Sequence, residues 1–134
     1  MSKARIIVST TVDGVTAKRN AVSHHALLTR QLSKFPDNSI AHAIGMFEGK
    51  EELSLVIEIP NVPFIALAAT AHALCLDYGQ KSVYFSREGK AYLATCDGDM
   101  VHLGKECEGE MKAVADTANY TRIIGTKYYI WTVE

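Results

Sequence analysis

The chain has 134 residues, 48 % of them apolar and 22 % charged, and its 14 basic and 15 acidic side chains leave a formal net charge of −1. That size and balance predict one globular domain over residues 1–134 with a real core, and the scattered charge leaves no basic footprint for nucleic acid. No run approaches the roughly 18 consecutive apolar residues of a membrane span.

The opening MSKARIIVST has a short apolar run that reads as a first strand, Arg5 to Val12, rather than as a leader. Asp13-Gly14 marks a turn. Ala21, His25, Leu28, Leu32 and Phe35 then recur at the helical period, which predicts an amphipathic helix from Ala17 to Phe35. Thr16 suits its N-cap, and Pro36-Asp37-Asn38 stops it. Strands are predicted from Ile40 to Phe47 and from Glu52 to Ile59, joined at Glu48-Gly49-Lys50. Pro63 suits the first turn of a second helix, Phe64 to Tyr78, which is nearly apolar all round and should be heavily buried, with Gly79 as its C-terminal cap.

Three short strands follow, Ser82 to Ser86, Ala91 to Thr95 and Met100 to Leu103, with turns at Glu88-Gly89 and Asp97-Gly98-Asp99. Lys105 to Ala118 fits either a loop with a short helix or a strand from Glu110 to Val114. Arg122 to Ile124 and Tyr128 to Val133 form a closing hairpin around Gly125-Thr126. The order predicts an α+β fold, a ferredoxin-like β-α-β-β-α-β antiparallel sheet with both helices on one face and a C-terminal β extension. The other sheet face would be wetted, bind a ligand or be buried in an oligomer. Side chains alternate along a strand, so Leu53, Leu55, Ile57 and Ile59 should face the helices. Glu52, Ser54, Val56 and Glu58 should share the open face.

Several motifs point nowhere. Gly45 to Lys50 is a residue short of a phosphate loop, and a strand follows it where a helix should. His24, His25, His42, His72 and His102 make no metal spacing, and His72 reads as a hydrogen-bonded helix residue. Cys75, Cys96 and Cys107 are odd in number and lack C-x-x-C spacing. They predict reduced thiols in a cytoplasmic protein, without a disulfide framework or zinc site. Cys75 reads as core packing. No cofactor or metal is expected.

Four stretches, GMFEGKEELSLVIEI, DYGQKSVYF, GKAYLATCDGDMVHLG and NYTRIIG, together resemble the phage-encoded S-adenosylmethionine lyases, formerly called hydrolases. Asn20 and Ser23-His24 on the first helix match the family's sketch, as do Gly45, Phe47, Glu52, Ser54 and Gln80. The resemblance implies a ferredoxin-like trimer with S-adenosylmethionine bound between subunits. It implies Glu52 as the functional acid, with Ser9, Thr10, Phe47, Ser54 and Gln80 lining the substrate. Phe47 stands where the family favours Tyr, and Lys81 where it places an acid, which weakens the transfer of roles. Two other readings stay open: a non-enzymatic trimer binding a nucleotide-like molecule, and an inhibitor docking through the open sheet face.

Overall fold

A computed structural model describes residues 3–9, 26, 39–47, 50–60, 62–77, 80, 82–110, 120–126 and 128–133. Its strands are β1 (Lys3–Ser9), β2 (Ser39–Phe47), β3 (Lys50–Pro60), β4 (Ser82–Arg87), β5 (Lys90–Thr95), β6 (Met100–Glu110), β7 (Tyr120–Ile123) and β8 (Tyr128–Val133). A helix, α1 (Phe64–Asp77), separates β3 from β4. Of the helix expected over Ala17 to Phe35, only Ala26 is among the described residues, in helical conformation and exposed.

The strands close an antiparallel barrel in the order β1-β3-β2-β7-β8-β6-β5-β4. This overturns the predicted ferredoxin-like open sheet with helices on one face. The C-terminal strands expected as an appendage complete the ring instead: β6 pairs with β5 and β8, and β7 pairs with β8 and β2. The face expected to be open is the barrel lumen. Closure satisfies the backbone donors and acceptors that an open sheet leaves along its two edges.

Local sequence explains most of the strands. Ile6-Ile7-Val8 is β-branched and suits a pleated surface. Glu88 and Gly89, both at positive φ (53° and 78°), form the tight connection between β4 and β5. β6 is longer than the predicted Met100 to Leu103 and runs on through Glu110. A bulge beside Ala91/Tyr92, which leaves Leu103 unpaired with β5, redirects it toward β8.

Two apolar clusters follow from the alternation. Ile6, Val8, Leu55, Ile57, Val83 and Phe85 point outward beneath Leu67, Ala71, Leu74 and Cys75 of α1. Ile7, Ala43, Val56 and Ile130 point into the lumen. Leu55, Ile57 and Ile59 therefore face the helix as the alternation predicts. α1 is buried on that side alone, since Ile65 and Leu76 are exposed. The expectation of heavy burial all round is corrected to one buried face.

A disulfide joins Cys75, on the last turn of α1, to Cys96, just past β5, across 21 residues of sequence. It replaces the expected pair of reduced thiols. The β4–β5 hairpin brings the two cysteines together, and their spacing alone carries no sign of that return. Cys107 is free. No helix among the described residues is long and apolar enough to cross a membrane.

Candidate functional site

The lumen holds a charged spoke. Arg5 on β1 is 1 % exposed, and its guanidinium binds Glu58 Oε1 at 2.8 Å, Glu106 Oε1 at 2.7 Å and Glu108 Oε2 at 2.7 Å. Glu58 is its direct neighbour across the β1–β3 ladder. Glu106 and Glu108 lie on β6, with β4 and β5 standing between, so Arg5 reaches across the lumen to meet them. Tyr84 on β4 donates its hydroxyl to Glu106 Oε2 at 2.5 Å. Arg5 Nε is buried without a partner.

The electrostatics follow from one cation among three acids. Burial works against the charge on Arg5, but Glu106, Glu58 and Glu108 together outweigh it and raise its pKa. Burial and the Glu106 carboxylate raise the Tyr84 phenol. Burial and Glu108 push Tyr128 up to about 12. Arg5 thus stays charged and both phenols stay neutral near pH 7. The arginine and the two tyrosines hold the lumen's shape, and none of the three is poised to exchange a proton.

One rim of the barrel gathers hydroxyls. Ser9, the last residue of β1, pairs with Ser54, which pairs in turn with Ala43. One step along the same face, Gly45 pairs with Glu52 on one side and Thr121 on the other. Ser54 is buried and donates to the Glu52 carbonyl at 3.3 Å. A Cβ on Gly45 would lie 3.3 Å from Ser54 Oγ and 3.9 Å from Thr121 Oγ1, so the missing side chain leaves both hydroxyls facing one gap. Glu52 is half-buried and shares the lumen-facing row with Ser54 and Val56.

The structure thus brings Ser9, Glu52 and Ser54 of the expected site onto adjoining strands. Phe47 ends β2 at the same rim, its backbone paired with Lys50. β4 runs antiparallel to β1, so its start also lies at this end. Gln80 stands two residues before β4, with its N–H donating to the Cys75 carbonyl at 3.0 Å. Thr10, Lys81, Asn20, Ser23 and His24 lie outside the described residues. Sequence reasoning missed Arg5, Tyr84, Glu106, Glu108 and Thr121. The acids at 106, 108 and 110 alternate with period two, a strand signal. His72 Nδ1 meets the Thr95 carbonyl at 2.9 Å, the hydrogen-bonded role expected of it.

Fold and site together define a small antiparallel barrel with a charged interior and a hydroxyl-lined rim. The sequence profile of the S-adenosylmethionine lyase family matches residues 6–133, and the chain belongs to that family. It is an enzyme, with S-adenosylmethionine as its substrate. A search of curated proteins found no match.

Proposed function

We propose that the enzyme splits S-adenosylmethionine into 5'-methylthioadenosine and L-homoserine lactone. The substrate's own carboxylate oxygen attacks the methionyl carbon bonded to sulfur. The C–O bond of the lactone forms as the C–S bond breaks, and the bonding pair leaves on sulfur as the neutral thioether. No enzymatic nucleophile is needed, so the site contributes by holding the chain folded for attack. The opposite charges of carboxylate and sulfonium both diminish in the transition state and are gone in the products, which favours a site that does not grip the sulfur with carboxylates.

The observation that carries this reading is the placement of Glu52 beside Ser54 and Gly45 on the lumen-facing row. Glu52 holds the substrate's ammonium group or a positioned water. Ser9 and Ser54 offer hydroxyls to the polar end and Gln80 contributes from the segment before β4, while Thr10 and Phe47 are assigned to the substrate by the family resemblance alone. In this reading the protein is a single-domain trimer with its site between subunits. It serves a phage in the cytoplasm of an infected host by removing the methyl donor on which host defence depends.

Two experiments test it. Incubation with S-adenosylmethionine, followed by chromatography and mass spectrometry, should give methylthioadenosine with the lactone as the first co-product. Homoserine appearing first would replace intramolecular attack by hydrolysis. Glu52→Gln should lower kcat about a hundredfold, the usual cost of a reactant held about an ångström out of place, while the folded state survives. Retained turnover with a loss of stability would make Glu52 a structural acid.

A further inference from the structure

Gly45 on β2 faces a small space walled by oxygen. A Cβ built on it would lie 3.3 Å from Ser54 Oγ, 3.8 Å from the Glu52 carbonyl oxygen and 3.9 Å from Thr121 Oγ1, and these are its three nearest atoms. Two of the three offer lone pairs and no proton. Ser54 donates its one hydroxyl proton to the Glu52 carbonyl at 3.3 Å, and a carbonyl only accepts. Thr121 is the third, and only 9 % of it is exposed. Among the described residues its hydroxyl has no hydrogen-bond partner. Its ladder neighbour on β8 is the apolar Ile130, and on β2 it is Gly45, which has no side chain. A buried hydroxyl left unbonded is uncommon, and this one borders the space.

The wall selects the chemistry of what enters. Glu52 is the direct ladder partner of Gly45 and shares its lumen-facing row with Ser54, so the space also lies beside a carboxylate-bearing residue. An entering carboxylate would meet the lone pairs of Ser54 and of the Glu52 carbonyl, and the charge of the Glu52 side chain would repel it. A primary ammonium brings three donors, no acceptor and a positive charge, in a group close to a methyl in size. Building on the placement of the substrate's polar end at this rim made above, we propose that Thr121 is a substrate-binding residue. With Ser54 and Glu52 it seats the α-ammonium of S-adenosylmethionine in the space that Gly45 leaves.

This seat divides the labour at the polar end. The ammonium is held on β2, β3 and β7, and the substrate carboxylate stays clear of the wall, unbound by it and able to attack. The ammonium keeps its charge through the transition state, so Thr121 binds ground state and transition state alike. Its loss should therefore raise KM and leave kcat nearly unchanged, because Glu52 still orients the chain.

The test compares the full chain with Thr121→Val, which keeps the shape, and Thr121→Ser, which keeps the hydroxyl. Two inhibitors are titrated against each protein. Decarboxylated S-adenosylmethionine has the ammonium and the sulfonium but no carboxylate to attack, and 5'-methylthioadenosine has none of the three. Thr121→Val should raise KM and the inhibition constant of the decarboxylated compound about tenfold, the low end for a hydrogen bond to a charged group. The constant for 5'-methylthioadenosine should not move, and Thr121→Ser should restore wild-type values. Equal weakening of both inhibitors by Thr121→Val would mean a distorted rim and overturn the assignment, and so would unchanged affinity for the decarboxylated compound. If no protein turns over S-adenosylmethionine, the lyase reading fails. Calorimetry with the decarboxylated compound on wild type and Thr121→Val then still decides whether Thr121 holds an ammonium.

Discussion

The two sides of β1 make an instructive contrast, because consecutive residues on it enter opposite chemistries. Ile6 joins an apolar layer under α1, where Phe64, Phe85 and Tyr92 pack with ring centroids 5.2 to 5.8 Å apart. Arg5 enters a lumen whose apolar content is small and whose centre is a charge cluster. The outer layer gains from area removed from water, which is nondirectional and tolerant of repacking. The lumen gains only if each charge meets its partner, since removing one partner strands the others. The outer layer therefore carries most of the stability, and the lumen fixes which strands face one another.

Substitutions on each side can break or sharpen that contrast. Phe85→Ala, at a fully buried outer position, should cost about 4 kcal/mol in denaturant unfolding. A loss below about 1 kcal/mol would mean that the outer layer is not the main core. Arg5→Met should cost about 3 kcal/mol, at the low end for a broken buried pair, because the side chains of Glu58 and Glu108 keep 34 % and 38 % of their exposure. Wild-type stability in this variant would show that the spoke contributes nothing.

Smaller effects probe the lumen's edges. Tyr128 is an acid whose folded pKa is raised from 10.0 to about 12, so the fold favours its neutral form. Its contribution is fully present below pH 10 and is lost as pH rises from 10 toward 12. Its side chain is only half-buried, so solvent screening reduces the effect to about 1 kcal/mol. Tyr128→Phe should flatten the alkaline limb of stability against pH, and an unchanged limb would rule out this group as its source. Gly45→Ala should shift stability by no more than about 0.5 kcal/mol. Its methyl would press on Ser54 Oγ at 3.3 Å, so KM for S-adenosylmethionine should rise. An unchanged KM would place the rim hydroxyls outside the substrate site.

Local patterning was readable where one residue's neighbours decide its fate. The alternation of β3 separates Leu55 and Ile57, which face the helix, from Ser54 and Val56, which face the lumen. Glu88-Gly89 declares its turn, and Pro63 stands where α1 begins, its carbonyl accepting the Leu67 N–H at 3.1 Å. The ferredoxin-like prediction failed because closure depends on pairings distant in sequence, β2 with β7 and β6 with β8. Nothing in either strand names its partner. β6 was read short because Gly104 and the acids beyond Lys105 resemble a loop, although those acids face Arg5. Of the candidate site, alternation put Glu52 and Ser54 in one row, and their roles await the substitutions above. Thr121 became visible only when Gly45 was seen to pair with it.

The Arg5 spoke also dictates an order of events during synthesis. Arg5 emerges well before two of its partners, since Glu106 and Glu108 follow 101 and 103 residues later. Until β6 leaves the ribosome, a guanidinium destined for burial has Glu58 as the sole member of its ion-pair trio within the nascent chain. The early strands β1, β3 and β2 can pair while that charge stays hydrated. Sealing the lumen must wait for β6 and for β8, which joins β6 to β7. Such long-range closure is slow, and the strand edges of β2 and β5 stay exposed to neighbours until β7 and β6 cover them. The spoke thus acts as a checkpoint in time, because the barrel cannot close around Arg5 before its last acids arrive.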